Sequence, residues 1–203
     1  MSKITLTILC LFIVSFFLMM PQAAKADTAT PDQFIQQLGH TALMSLTEKN
    51  MPRNEREARV REILQNNFDI QAIGKFALGP YWNSASETQR KEYLDLFETM
   101  IVQTYTTKFE NYSGQTLKVD GTVPGGENDS VVSSQVLQKD GPPIHLQWRV
   151  RNESGALRVV DVVVEGISMS VTQRSDFAAT IQNGGGTVDA LLASMRAHQK
   201  QAE

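Results

Sequence analysis

Cysteine and histidine are scarce in this chain. Its 203 residues include one cysteine, Cys10, and three histidines. The histidines, His40, His145 and His198, show no spacing typical of metal ligands. These absences exclude a disulfide framework, a thiolate nucleophile and a zinc–cysteine site after Cys10. We therefore expect neither a metal nor a cofactor.

An excess of basic residues is also missing. Lysine and arginine together number 19 against 22 acidic residues, which gives a formal net charge of −3 at pH 7. Binding to nucleic acid depends on positive charge, so nucleic acid is not an expected partner. No serine stands in a Gly-x-Ser-x-Gly context either. Few candidates for a reactive group remain.

Residues 1–26 predict a cleaved export signal. Lys3 supplies a positive start, residues 4–20 form an apolar run, and Ala24-Lys25-Ala26 is a small-x-small cleavage site before Asp27. A membrane anchor is the alternative, because the apolar run is at the short limit for a transmembrane helix. We expect residues 27–203 to form one exported domain.

Helices are predicted on both sides of a central region of strands. Residues 30–33 and 86–89 are capping boxes, and the second starts the longest helix, at about 87–109. Asp69 can cap a shorter helix. The charged residues of the second helix, Arg56 among them, are interpreted as a solvated face.

Between residues 115 and 167 the apolar pattern has a period of two. Four strands are predicted, at about 117–121, 131–138, 144–151 and 157–167. Short turns between consecutive strands predict an antiparallel meander. Because helices cluster before and after the strands, we expect an α+β fold with a four-stranded meander wrapped by about six to seven helices.

The fourth strand is the expected centre of this fold. Val160, Val162 and Val164 would form a wholly apolar face, while Asp161 and Glu165 would lie on the opposite face. Helices are expected to cover the apolar face.

The apolar side chains of sheet and helices could enclose a cavity. A stripe of large side chains on the longest helix is more often plain core, but it also suits a hydrocarbon ligand. Burying acyl carbons contributes about 0.8 kcal/mol per CH₂. Tyr81 and Trp82 are placed near the mouth of this cavity, and the complete predicted set is Phe76, Tyr81, Trp82, Phe97, Ile101, Tyr105, Val132, Trp148, Val150, Val162, Val164 and Ile167.

Two other functions stay open at this point. One is a small α+β enzyme that uses Asp161 or Glu165 as a base on an apolar substrate. Carboxylates at such positions more often form structural ion pairs with arginines. The other is an adaptor that holds no lipid and docks on a transporter by its surface.

Two stretches carry a resemblance to a known family. Residues 159–177, VVDVVVEGISMSVTQRSDF, are followed by a glycine-rich break and LLASMR, and they resemble the MlaC/toluene-tolerance family of periplasmic phospholipid-binding proteins. Residues 68–82, FDIQAIGKFALGPYW, resemble the same family, and the two blocks stand in the family's order. The resemblance spans about residues 68–195.

The resemblance implies a helix-wrapped antiparallel sheet and a function without catalysis. Family members carry phospholipid between an outer-membrane complex and an inner-membrane ABC transporter. One branch accompanies hopanoid biosynthesis, and QRSDF with the triple glycine at 184–186 resembles that branch as well. A phospholipid or a hopanoid is therefore the expected ligand.

Overall fold

The computed structural model describes residues 29–202, so the export signal predicted for residues 1–26 lies outside it. Among the described residues, no helix is long and apolar enough to cross a membrane. The helices are α1 (Pro31–Leu46), α2 (Arg53–Asn67), α3 (Ile70–Leu78), α4 (Tyr81–Ser84), α5 (Glu87–Glu110), α6 (Met169–Asn183) and α7 (Val188–Ala202).

All strands of the described region belong to one antiparallel sheet, in which they follow each other in chain order. They are β1 (Thr116–Pro124), β2 (Asp129–Leu137), β3 (Ile144–Glu153), β4 (Ala156–Val164) and β5 (Ile167–Ser168). The α+β class and the meander are thus confirmed.

The sheet has five strands rather than the four predicted. β4 ends at Val164, and the chain reverses through Glu165 and Gly166, whose φ angles are +49° and +81°. Two consecutive residues with positive φ form the tight turn that suits a two-residue hairpin. Ile167 consequently pairs with Val164 as part of a short edge strand.

The predicted helix starts are confirmed by their hydrogen bonds. The Ser86 amide donates to Gln89 Oε1 at 2.9 Å, and the Gln89 amide donates to Ser86 Oγ at 3.2 Å. Asp69 Oδ1 accepts from the Ala72 amide at 2.9 Å. Each cap provides partners for amides that the first turn of a helix leaves free.

A β-bulge changes which valines of β4 share a face. Arg149 pairs with Asp161 and Val150 pairs with Val159, so Val160 is an extra residue without an opposite partner. Such an insertion shifts the alternation of side chains by one position. The predicted face of Val160, Val162 and Val164 is therefore wrong at Val160: Val159 takes that place and is fully buried.

The face of the sheet that contains Val159 packs on α1, and we call it the inner face. Ile35 and Leu38 of α1 form one cluster with Val132, Val150 and Val159, all of them buried. The helices form a second cluster around the stacked and edge-on rings of Tyr93, Phe97 and Phe177.

Ile63 and Phe68 pack against both clusters and join them. Phe68 also forms an isolated parallel bridge with Val159, and the next amide, that of Asp69, donates to the Val159 carbonyl at 3.0 Å. The link between α2 and α3 is therefore fastened directly to the sheet.

The prediction that the charged residues of α2 form a solvated face is wrong for Arg56, which is buried. Its residue is 5 % exposed, and its guanidinium donates to the carbonyls of Leu46 and Glu48 at 3.0 and 2.9 Å. Glu110 Oε1 lies 3.8 Å from Arg56 Nη1. Arg56 thus satisfies the carbonyls at the end of α1, which no helical amide can reach.

Replacing Arg56 by methionine should destabilise the protein by about 2–4 kcal/mol, because buried carbonyls lose charge-assisted hydrogen bonds. Arg61→Met is the matched control: Arg61 pairs with Glu98, but 41 % of its side chain is exposed. Its loss should cost at most about 1 kcal/mol. Urea unfolding of both variants measures the difference, and equal costs would contradict the role assigned to Arg56.

Candidate functional site

The inner face of the sheet becomes less covered toward the end of β4. In the cross-strand pair of Val150 and Val159, both residues are fully buried. In the pair of Leu146 and Val164, both are only half-buried. Ile167, which pairs with Val164, is 59 % exposed. The sheet therefore presents an apolar surface that its own helices leave incompletely covered.

We call this surface the open end of the sheet and define it as Leu146, Trp148, Val162 and Val164. Trp148 and Val162 are cross-strand partners and half-buried. The indole N–H of Trp148 donates to Ser134 Oγ at 2.8 Å. Because its polar group has a partner within the sheet, the ring adds only apolar surface to the open end.

Tyr105 and Ile101 lie one turn apart on α5. Tyr105 is 39 % exposed, and burial of its phenol raises the pKa of that group. Ile101 is half-buried and packs against the helix cluster. This face of α5 therefore carries one exposed ring and one half-buried aliphatic side chain.

The aromatic side chains Phe76 and Trp82 lie on α3 and α4, each beside positively charged side chains. Phe76 is 43 % exposed, and the guanidinium carbon of Arg174 lies 5.3 Å from its ring centroid. Lys75 Nζ lies 5.9 Å and the Arg90 guanidinium carbon 5.3 Å from the centroid of the Trp82 ring. This corner therefore combines apolar rings with cations.

The structure separates the predicted site residues into three groups. Phe97 is buried in the helix cluster, with Tyr81, Trp82 and Ile101 packed against it. Val132 and Val150 are buried in the sheet cluster, with Trp148 and Val162 packed against it. Val164 is half-buried, and the exposed members are Phe76, Tyr105 and Ile167.

Phe97, Val132 and Val150 are at most 2 % exposed, so no water-sized space adjoins them. Phe97 belongs to the packed interior of the helix cluster, and Val132 and Val150 belong to that of the sheet cluster. That these residues contact a ligand stays a prediction. The sequence prediction missed Leu146, although the alternation along β3 that identified Trp148 and Val150 also includes it.

Asp161 and Glu165 form hydrogen bonds away from the inner face. Asp161 lies opposite Arg149 in the register of β3 and β4, on the face of the sheet that points away from the inner face. Its carboxylate accepts hydrogen bonds from Ser168 Oγ at 2.6 Å and from Ser170 Oγ at 2.7 Å. Glu165 is exposed and accepts from the His145 amide. Both carboxylates hold the turn from β4 into α6, and neither meets the apolar surface that an enzyme substrate would occupy.

A separate recess of about 450 Å³ lies among α5, α6 and α7. Met100, Phe177 and Met195 line its apolar part, and Asp176 and His198 line its polar part. Met100 stands on a different side of α5 from Ile101 and Tyr105, since each residue turns the helix by about 100°. This recess is therefore distinct from the open end of the sheet.

Comparison with known proteins relates this architecture to one family. The sequence model of a protein family described as “MlaC protein” matches residues 32–197. The chain belongs to the MlaC family.

Two curated members resemble the chain at moderate identity. The intermembrane phospholipid transport system binding protein MlaC of Haemophilus influenzae is 25 % identical over 198 residues, covering 94 % of this chain and 91 % of that protein. The toluene tolerance protein ttg2D of Pseudomonas putida is 26 % identical over 131 residues, covering 64 % of this chain and 61 % of that protein.

A solved structure shares the fold. The phospholipid-binding protein from Ralstonia solanacearum, determined in complex with a phospholipid, superposes with a TM-score of 0.73. The sequence identity is 23 %, and the match covers 86 % of this chain and 99 % of that chain. The sheet and its surrounding helices are thus an architecture shared with this solved structure.

We expect the phenol of Tyr105 to ionise at a pH above the ordinary tyrosine value of about 10, because burial disfavours the phenolate. The difference between alkaline ultraviolet titrations of the wild type and Tyr105→Phe isolates this group. An apolar ligand bound beside the Tyr105 ring should move the midpoint further up, since it removes water from the phenol. A midpoint at or below the ordinary value would show that the protein does not bury this phenol.

Proposed function

We propose that this protein is a periplasmic lipid carrier that binds the acyl chains of a phospholipid and moves the lipid between the inner and outer membranes. The observation that carries the proposal is the open end of the sheet, where apolar side chains remain half-buried within a folded domain. Half-exposed aromatic residues of α3 and α5 add apolar surface beside the helix cluster.

Acyl chains suit such a surface because binding needs no specific polar contact. Each CH₂ group transferred from water contributes about 0.8 kcal/mol, so affinity grows with the length of buried chain. The chains would lie between the sheet cluster and the helix cluster, against the open end of the sheet and Ile101 and Tyr105. The polar headgroup would stay at the mouth near Phe76, Tyr81 and Trp82.

The family relatives favour phospholipid over hopanoid as the cargo. One is described as an intermembrane phospholipid transport system binding protein, and the structural relative was solved with a phospholipid. A carrier of this kind needs one partner that delivers the phospholipid to it and another that takes the phospholipid from it. We propose an outer-membrane lipid-transfer complex and an inner-membrane ABC transporter as these partners, and no catalytic step is needed.

Native mass spectrometry of protein purified from a periplasm tests the carrier directly. We expect an additional mass that solvent extraction identifies as a phospholipid. A protein that arrives without lipid and also refuses added phospholipid would contradict the carrier function and favour an adaptor or an enzyme. If solvent extraction released a hopanoid instead, the protein would still be a lipid carrier, but its cargo would be a hopanoid rather than a phospholipid.

Val164→Asp and Ile101→Asp should abolish lipid carriage, because each places a charge where hydrocarbon would lie. Val123→Asp is the matched control, since Val123 lies in the same sheet but is 58 % exposed. Circular dichroism verifies that each variant is folded. A folded Val164→Asp protein that retains its phospholipid would show that the acyl chains bind elsewhere.

Export implies that the signal is removed before Asp27. We expect N-terminal sequencing of the periplasmic protein to begin at Asp27, following cleavage after Ala26. If the protein instead retained residues 4–20 and sedimented with membranes, these residues would be a membrane anchor and not a cleaved signal.

A further inference from the structure

Arg174 of α6 carries a positive charge beside the exposed ring of Phe76. Its side chain is exposed, and its guanidinium carbon lies 5.3 Å from the Phe76 ring centroid. Among residues 29–200, none of the ion pairs includes Arg174. All four arginines of α2, in contrast, are paired with a carboxylate.

Two contacts keep this guanidinium in place. Phe76 provides an aromatic face, on which a guanidinium stacks favourably. Gly79 also allows a close approach of the guanidinium: a Cβ at Gly79 would lie 2.8 Å from Arg174 Nε. A side chain that is held without a carboxylate keeps its hydrogen-bond donors available for a ligand.

The chain path places Arg174 near the open end. β5 pairs with the last residues of β4, and α6 begins directly after β5. Arg174 follows the first residue of α6 by five positions, which is a rise of about 7.5 Å along a helix. Ile167 is 59 % exposed, and Phe76, whose ring lies beside the Arg174 guanidinium, is 43 % exposed. Along the chain, only the short strand β5 and the first turns of α6 separate Arg174 from the turn that follows Val164.

We infer that Arg174 binds the phosphodiester of the carried phospholipid, with Phe76 and Gly79 holding the guanidinium in position. This inference rests on the proposed carrier function. Guanidinium and phosphate form paired, charge-assisted hydrogen bonds, which are stronger than bonds between neutral groups. Lys75, adjacent to Phe76 in the chain and also outside the ion pairs of residues 29–200, adds positive potential at this corner.

The site would recognise phosphate rather than the headgroup beyond it. A single guanidinium has no means of distinguishing ethanolamine from glycerol, since both are attached to the same phosphodiester. We therefore expect similar affinities for phosphatidylethanolamine and phosphatidylglycerol and a weaker affinity for diacylglycerol, which has the acyl chains without the phosphate.

The experiment compares phosphatidylglycerol and diacylglycerol of equal chain length, each titrated into delipidated mature protein. Arg174→Gln should weaken phosphatidylglycerol binding about tenfold and leave diacylglycerol binding unchanged. Arg149→Gln is the control, because it removes the same charge from an exposed position on the opposite face. It should change neither affinity.

The outcomes separate this inference from the function on which it rests. Wild-type protein that binds neither lipid would overturn the carrier function itself. Wild-type protein that binds both lipids, with Arg174→Gln weakening neither or weakening both equally, would overturn only the role of Arg174. Glycerophosphoglycerol, which has the phosphodiester without acyl chains, tests capture of free phosphate-containing solutes. Arg174-dependent binding of this solute without any such dependence for the intact lipid would likewise overturn the inference.

Discussion

The structure depends on one constraint: a five-stranded sheet with an apolar inner face must be shielded from water by a limited amount of helix. α1 supplies Ile35 and Leu38, which complete the cluster around Val132 and Val150. Beyond these residues the coverage becomes thinner. An apolar sheet surface that a folded domain leaves half-buried is costly unless something else covers it. A bound acyl chain would remove that cost.

Specific contacts fix the helices to one another and to the sheet. Tyr93 donates a buried hydrogen bond from its hydroxyl to the Gly74 carbonyl at 2.8 Å, which locks α5 to α3. Gly74 permits the close approach, because a Cβ there would lie 2.8 Å from Leu94 Cδ2. Phe68 attaches α3 to the sheet through its bridge with Val159. The helix cluster and the sheet cluster are thus joined at Ile63 and Phe68.

Much of the fold could be predicted because the signals were local. The helix starts depended on residues three positions apart, such as Ser86 and Gln89, and the strands on alternation with short turns. The exceptions have physical causes. The bulge at Val160 reverses the alternation within one strand, and the turn at Glu165–Gly166 adds a strand that the apolar run conceals. Arg56 looked like one of several surface charges, but its partners come from α1 and from Glu110 at the end of α5.

For the candidate site, the sequence by itself determined which side chains are apolar, which face of β3 carries them, and that no cysteine follows Cys10. Only the tertiary structure decided which of these side chains are sealed and which stay accessible. Val150 and Leu146 follow the same alternation, yet one is fully buried and the other half-buried. Val150 shares a buried cluster with Ile35 and Leu38 of α1, which lies about a hundred residues earlier in the chain, whereas Leu146 is not part of that cluster. Periodicity encodes the side of a strand on which a residue lies, but coverage depends on segments that are distant in the chain.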